Sequence, residues 1–112
     1  MQFLVRLEVA TPPDWPAPKL AQLQEAEREA ALDLMARGVI RRFFRVPGLR
    51  GNLGIWDTDS PEQLHETLTS LPMWPVMTAS VTPLCAHPHE ARFEQVHGRP
   101  APGLLAPYRD PV

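Results

Sequence analysis

Residues Phe43 to Met77, FFRVPGLRGNLGIWDTDSPEQLHETLTSLPMWPVM, hold a strand, a turn, a second strand, a capped helix and a Pro-x-x-Pro exit in one run. Pro47-Gly48 and Gly51 separate two segments rich in β-forming residues, the pattern of a hairpin joined by a tight turn. Ser60-Pro61-Glu62-Gln63 opens a helix. Ser60 is a good N-cap, Pro61 suits the first helical position, and Gln63 completes capping-box spacing. Leu64, Leu68 and Leu71 share one face of that helix. Pro72 and Pro75 end it and launch another strand.

Working outward, residues 2–9 alternate. Phe3, Val5, Leu7 and Val9 take one face, and Leu4, Arg6 and Glu8 the other, as in a half-buried strand. The proline-dense stretch 11–18, TPPDWPAP, excludes regular structure. A helix is predicted over 18–37, with Gly38 as its C-terminal cap. Strands are predicted over 39–46, 52–57 and 76–85, with the second helix over 61–70. The order β-α-β-β-α-β, with an antiparallel sheet, is the ferredoxin-like α+β pattern. It predicts one domain over residues 1–90 and a Pro-rich C-terminal tail over 91–112. Residues 86–112 hold little periodic apolar content, so the sequence predicts disorder there or a segment laid on a neighbouring subunit, anchored by Leu104, Leu105 and Tyr108.

Composition bounds the function. The chain has 112 residues and a formal net charge of −2, with no basic run, so nucleic-acid binding has no electrostatic support. Cys85 is the single cysteine, which excludes an internal disulfide and fits a reducing cytoplasm. It reads as a small core residue at a strand end. The N-terminus alternates like a strand, unlike a signal peptide, and no apolar run approaches the roughly 20 residues of a membrane span. A soluble, cytoplasmic protein is expected.

A ferredoxin-like sheet covers one face with its helices and leaves the other for solvent, a second sheet or a partner. With Phe3, Val5 and Leu7 toward the helices, Leu4, Arg6 and Glu8 face away. The alternation reading places Asn52, Gly54 and Trp56 of the third strand on that open face, and for the second strand favours Arg41, Phe43 and Arg45 there over the alternative set Phe44 and Val46. Such a face mixes charged and large apolar groups. A dimer enclosing a small polar cavity satisfies both.

The apolar stripe of the first helix runs Leu20, Leu23, position 27, Ala30, Leu34, and position 27 is Glu27. A carboxylate in that stripe is either partly desolvated, which raises its pKa and makes it a base near neutral pH, or sits at the stripe edge paired with Arg28, Arg41 or Arg45. His65 beside the second helix's stripe reads as a packing residue. His87, His89 and His97 lie in irregular sequence without metal-site spacing.

Together these residues resemble the muconolactone delta-isomerases of aromatic-compound catabolism. The resemblance covers residues 2 to about 89. It rests on Lys19, Gln22-Leu23, Glu27 and Glu29; on Arg41, Arg45, Gly48, Asn52 and Asp57; on Leu64-His65, Thr67-Leu68, Leu71-Pro72, Pro75 and Met77; and on Leu84-Cys85 and His87-Pro88. It implies a dimeric α/β barrel, subunits pairing through their sheets and assembling into rings as large as a decamer. It implies an intramolecular isomerase that moves the double bond of an unsaturated lactone carboxylate by a 1,3-proton shift, without metal or organic cofactor.

That reaction needs a base, a donor for the dienolate oxygen and a cation for the substrate carboxylate. By the resemblance, Glu27 takes the acid/base position. Arg45 is a catalytic candidate, and Arg6 and Arg41 are candidates to clamp the carboxylate. Asn52 is a candidate donor, and Trp56 a candidate cavity wall. The chain departs from the family's pattern at Leu4, Arg6, Phe44 and Val76. A small-ligand-binding protein of the same fold, or an enzyme acting on a different substrate, is the alternative reading.

Overall fold

A computed structural model describes residues 1–102. Strand β1 (Gln2–Val9) leads through the proline-rich segment to α1 (Ala17–Ala36), then β2 (Ile40–Phe44), β3 (Gly51–Asp57), α2 (Pro61–Thr69), a 3₁₀ turn at Trp74–Val76, β4 (Met77–Leu84) and α3 (Pro88–His97). The four strands form one antiparallel sheet in the order β2-β3-β1-β4. This is the ferredoxin-like arrangement expected from the order of elements.

Local chemistry sets the element ends. Ser60 accepts a hydrogen bond from the Gln63 N–H at 3.1 Å, and the Gln63 side chain reaches back to the Asp59 N–H at 2.7 Å. That pair secures the start of α2. At the end of α1, Gly38 has φ +76°, and the N–H groups of Gly38 and Val39 return to the carbonyls of Met35 and Leu34. This Schellman closure requires the left-handed conformation that glycine adopts freely. Between β2 and β3 the chain uses residues 45–50, a longer link than a tight turn. Leu49 donates to the Val46 carbonyl at 3.0 Å across Pro47 and Gly48, and Gly48 has φ +81°.

The core fills the helix side of the sheet. Phe3, Val5 and Leu7 of β1 pack with Leu34 of α1, Ile40 of β2, Trp56 of β3, Leu64 and Leu68 of α2, and Leu71. The β1 alternation therefore reads correctly. The β3 alternation is inverted. Trp56 pairs with Phe3, Gly54 with Val5 and Asn52 with Leu7. Directly opposed residues share a face, so Asn52, Gly54 and Trp56 point toward the helices. Leu53 and Ile55 lie on the open face with Arg6 and Leu4.

The β2 reading is corrected in the same way. Its register shifts between Ile40 and Arg42, placing Arg41 in the irregularity. Phe43 then shares the helix side with Gly54, while Arg42 and Phe44 share the open face with Ile55 and Leu53.

Two further expectations change. Residues 88–97 are helical and not irregular. Pro88 stands in the first turn of α3, the His87 ring accepts from the His89 N–H at 3.1 Å, and Gly98 closes the helix at φ +67°. Cys85 is exposed, because the β4 residues around it lie at the sheet edge. The expected anchors Leu104, Leu105 and Tyr108 lie outside the described residues. Among the described residues no helix is long and apolar enough to cross a membrane.

Candidate active site

A cavity of about 540 Å³ opens between α1 and the helix side of the sheet. Helix α1 supplies Gln24, Glu27, Arg28, Ala31, Leu32 and Met35; the sheet supplies Leu7, Val9, Ile40, Phe43, Asn52 and Trp56, with Phe44 and Arg45 at the end of β2. The segment after α2 closes it with Leu71, Met73 and Met77. The cavity therefore lies on the helix side of the sheet. The sequence reading sought it on the open face, between two sheets. The inverted β3 alternation explains the difference.

Glu27 is the carboxylate of this cavity. It stands where two stripes of α1 meet. One, ending in Ala30 and Leu34, packs on the core; the other, Gln24, Ala31 and Met35, lines the cavity. The backbone N–H of Met73 donates to Glu27 Oε2 at 3.1 Å. Among the described residues no other protein group bonds to this carboxylate, and no cation pairs with it. Arg28, one residue on, pairs instead with Glu25 at 2.8 Å on the exposed side. Burial pushes the Glu27 carboxyl above its ordinary value, and the Met73 N–H partly offsets that rise by stabilising the charged form. The result is a fixed carboxylate with raised basicity in a largely apolar chamber.

Four of the six predicted site residues meet in this cavity: Glu27, Arg45, Asn52 and Trp56. Arg45 is exposed at the rim, without an ion-pair partner among the described residues. Asn52 Oδ1 and Trp56 Nε1 are buried without a hydrogen-bond partner. Arg6 and Arg41 are not brought to it. Arg6 lies on the open face, paired with Glu8 at 3.0 Å. Arg41, displaced by the β2 irregularity, sits 3.6 Å from Asp57, which also holds the N-terminal amino group at 3.0 Å. His65 is exposed on α2.

Sequence reasoning missed the Met73 N–H, because a backbone donor carries no side-chain signature. The Leu71-Pro72 and Pro75 pattern marked the turn but not its reach to α1. It also missed the cavity stripe of α1, although Gln24, Ala31 and Met35 sit at helical spacing around Glu27. Among the described residues no cluster of His, Cys, Asp or Glu is placed to hold a metal ion.

The family model described as muconolactone delta-isomerase matches residues 1–90. A muconolactone delta-isomerase of Cupriavidus pinatubonensis is 37% identical over 92 residues, spanning 82% of this chain and 100% of that protein. Muconolactone delta-isomerase 2 of Acinetobacter lwoffii is 36% identical over 87 residues, spanning 78% of this chain and 91% of the relative. A crystal structure of muconolactone isomerase superposes with a TM-score of 0.75 at 39% identity, covering 79% of this chain and 92% of the other.

Proposed function

The chain belongs to the muconolactone delta-isomerase family, and from that membership we propose that it moves the ring double bond of muconolactone in the cytoplasmic catabolism of aromatic compounds, with Glu27 as the proton carrier. The Glu27 carboxylate, raised in basicity and held by the Met73 N–H inside the cavity, is the observation that carries this reading.

The Glu27 carboxylate takes the proton from the ring carbon that bears the acetate arm. The C–H bonding pair enters the ring as a dienolate, with charge gathering on the lactone carbonyl oxygen. The same carboxyl then returns the proton two ring carbons away. The C=C bond has moved, and atoms and charge balance without a co-reactant. Raising the carboxyl's pKa makes its ionised form a stronger base for the first transfer, and the same group holds the proton for the return. Arg45 is the cation for the acetate carboxylate; its exposure at the rim, without an ion-pair partner among the described residues, supports that role. The apolar walls, Leu7, Phe43, Leu71 and Met77, limit water around the dienolate. Three of the family departures, Leu4, Arg6 and Val76, are not cavity residues.

The chain pairs through its open sheet face. Leu4, Leu53 and Ile55 are only partly buried there. An apolar face of that kind supports a homodimer and, through it, larger rings.

Incubating the protein with muconolactone and following enol-lactone formation tests the function. Turnover is expected. Binding of the lactone without turnover would instead identify a ligand-binding protein of the same fold.

A further inference from the structure

Among the described residues, the side-chain atoms Asn52 Oδ1 and Trp56 Nε1 are buried without a hydrogen-bond partner, and both residues line the Glu27 cavity. Most buried polar atoms in folded proteins are satisfied, so a pair of orphans on one cavity wall calls for an occupant. Trp56 is 1% exposed. An indole N–H is only a donor, so whatever satisfies it must be an acceptor.

Gly54 fixes where this donor sits. Asn52, Gly54 and Trp56 are alternate residues of β3 on the helix side, and the indole edge lies over Gly54. A Cβ at position 54 would stand 3.0 Å from Trp56 Nε1 and 3.1 Å from the Arg42 carbonyl oxygen. Any side chain there would displace the indole or the neighbouring strand. Phe43, 3.3 Å from the same point, bounds the notch on the β2 side.

We infer that the Trp56 indole N–H, seated over Gly54 on the cavity wall that also carries Asn52, is the donor that holds the lactone carbonyl oxygen of the substrate in the Glu27 cavity. This deepens the isomerase reading and rests on it. The carbonyl oxygen is the atom on which negative charge gathers in the dienolate, so a donor fixed there acts more strongly as the proton leaves. The Asn52 amide bears both a donor and an acceptor and presents its NH₂ after a half-turn, as a second donor beside the first. A neutral donor pair suits this place. A cation would pair with Glu27 and weaken it as a base.

The test has a catalytic and a binding arm. Trp56→Phe keeps an aromatic ring and deletes the N–H. It is expected to lower kcat about 10²-fold, the range for loss of one oxyanion donor, while KM changes less than about threefold. Gly54→Ala is expected to lower kcat in the same direction by moving the indole. In the wild-type protein, the ¹⁵N-labelled indole resonance of Trp56 is expected to move downfield when a saturated, non-isomerisable γ-lactone with an acetate arm is added. The binding arm needs no variant at the site, because Trp15→Phe and Trp74→Phe identify the remaining indole signal.

Wild-type kcat in folded Trp56→Phe, or an indole resonance that stays in place while the lactone saturates the protein, overturns the inference and leaves the isomerase reading standing. A wild-type protein that turns over no muconolactone yet shows the indole shift loses the isomerase reading and keeps the subsite. Absence of lactone binding altogether overturns the subsite as well.

Discussion

At the residue scale the account rests on one carboxylate. Glu27 has a raised pKa from burial, softened by the Met73 N–H. The base works only when ionised, so kcat/KM should fall as pH drops through a value above the ordinary glutamate pKa of about 4.3. A pH–rate profile checks this. The same shift affects stability with the opposite sign. Between the unfolded value and the raised folded value, the folded protein binds more protons than the unfolded chain, so stability falls as pH rises across that window. The stabilising contribution is full below the unfolded value and gone above the folded one. Thermal melts of Glu27→Gln should lack this slope, leaving the variant at least as stable as the wild type at neutral pH. Arg45→Ala should raise KM by roughly tenfold, as expected for loss of one charge-assisted contact, with kcat changed much less. Equal losses in both parameters would give Arg45 a part in the chemical step.

Elements place these residues, and two of them carry separable predictions. Ser60→Ala removes the N-cap of α2 and should destabilise the protein by about 1 kcal/mol, read as a lowered denaturant midpoint. A Cβ on Gly51 would overlap the Leu7 carbonyl oxygen of the paired strand, so Gly51→Ala should be far more damaging than Ser60→Ala. Similar midpoints for the two variants would show that β1 and β3 separate there without much loss.

The elements were largely legible in the sequence because their signals were local: the Ser60-Pro61 cap, the Gly38 closure and the β1 alternation. The faces of β2 and β3 were not. In β3 both alternating sets are apolar, Leu53 and Ile55 against Gly54 and Trp56, because the open side of the sheet is itself apolar. Periodicity cannot choose between two apolar faces; only the pairing of Trp56 with Phe3 does. The register shift around Arg41 then reverses the β2 phase. Helix α3 was overlooked for the reverse reason. Its apolar stripe is thin, although Pro88 and Gly98 stood at the proper ends. Glu27 lies in the cavity despite these inversions, because its position on α1 does not depend on the faces of the sheet.

Over the whole molecule, cavity and open face lie on opposite sides of one sheet, so catalysis and assembly should separate. Ile55→Arg places a charge on the open face and should shift the protein to monomers in analytical ultracentrifugation. An unchanged sedimentation coefficient would remove the sheet face as the pairing surface. The central claim, that Glu27 carries the proton within the cavity beneath α1, is tested most directly by kcat for muconolactone isomerisation in Glu27→Gln, with the fold verified by circular dichroism. A loss of about 10²–10⁴-fold, the span of general acid–base contributions, is predicted. A folded Glu27→Gln protein that turns over within a few-fold of the wild type would contradict it.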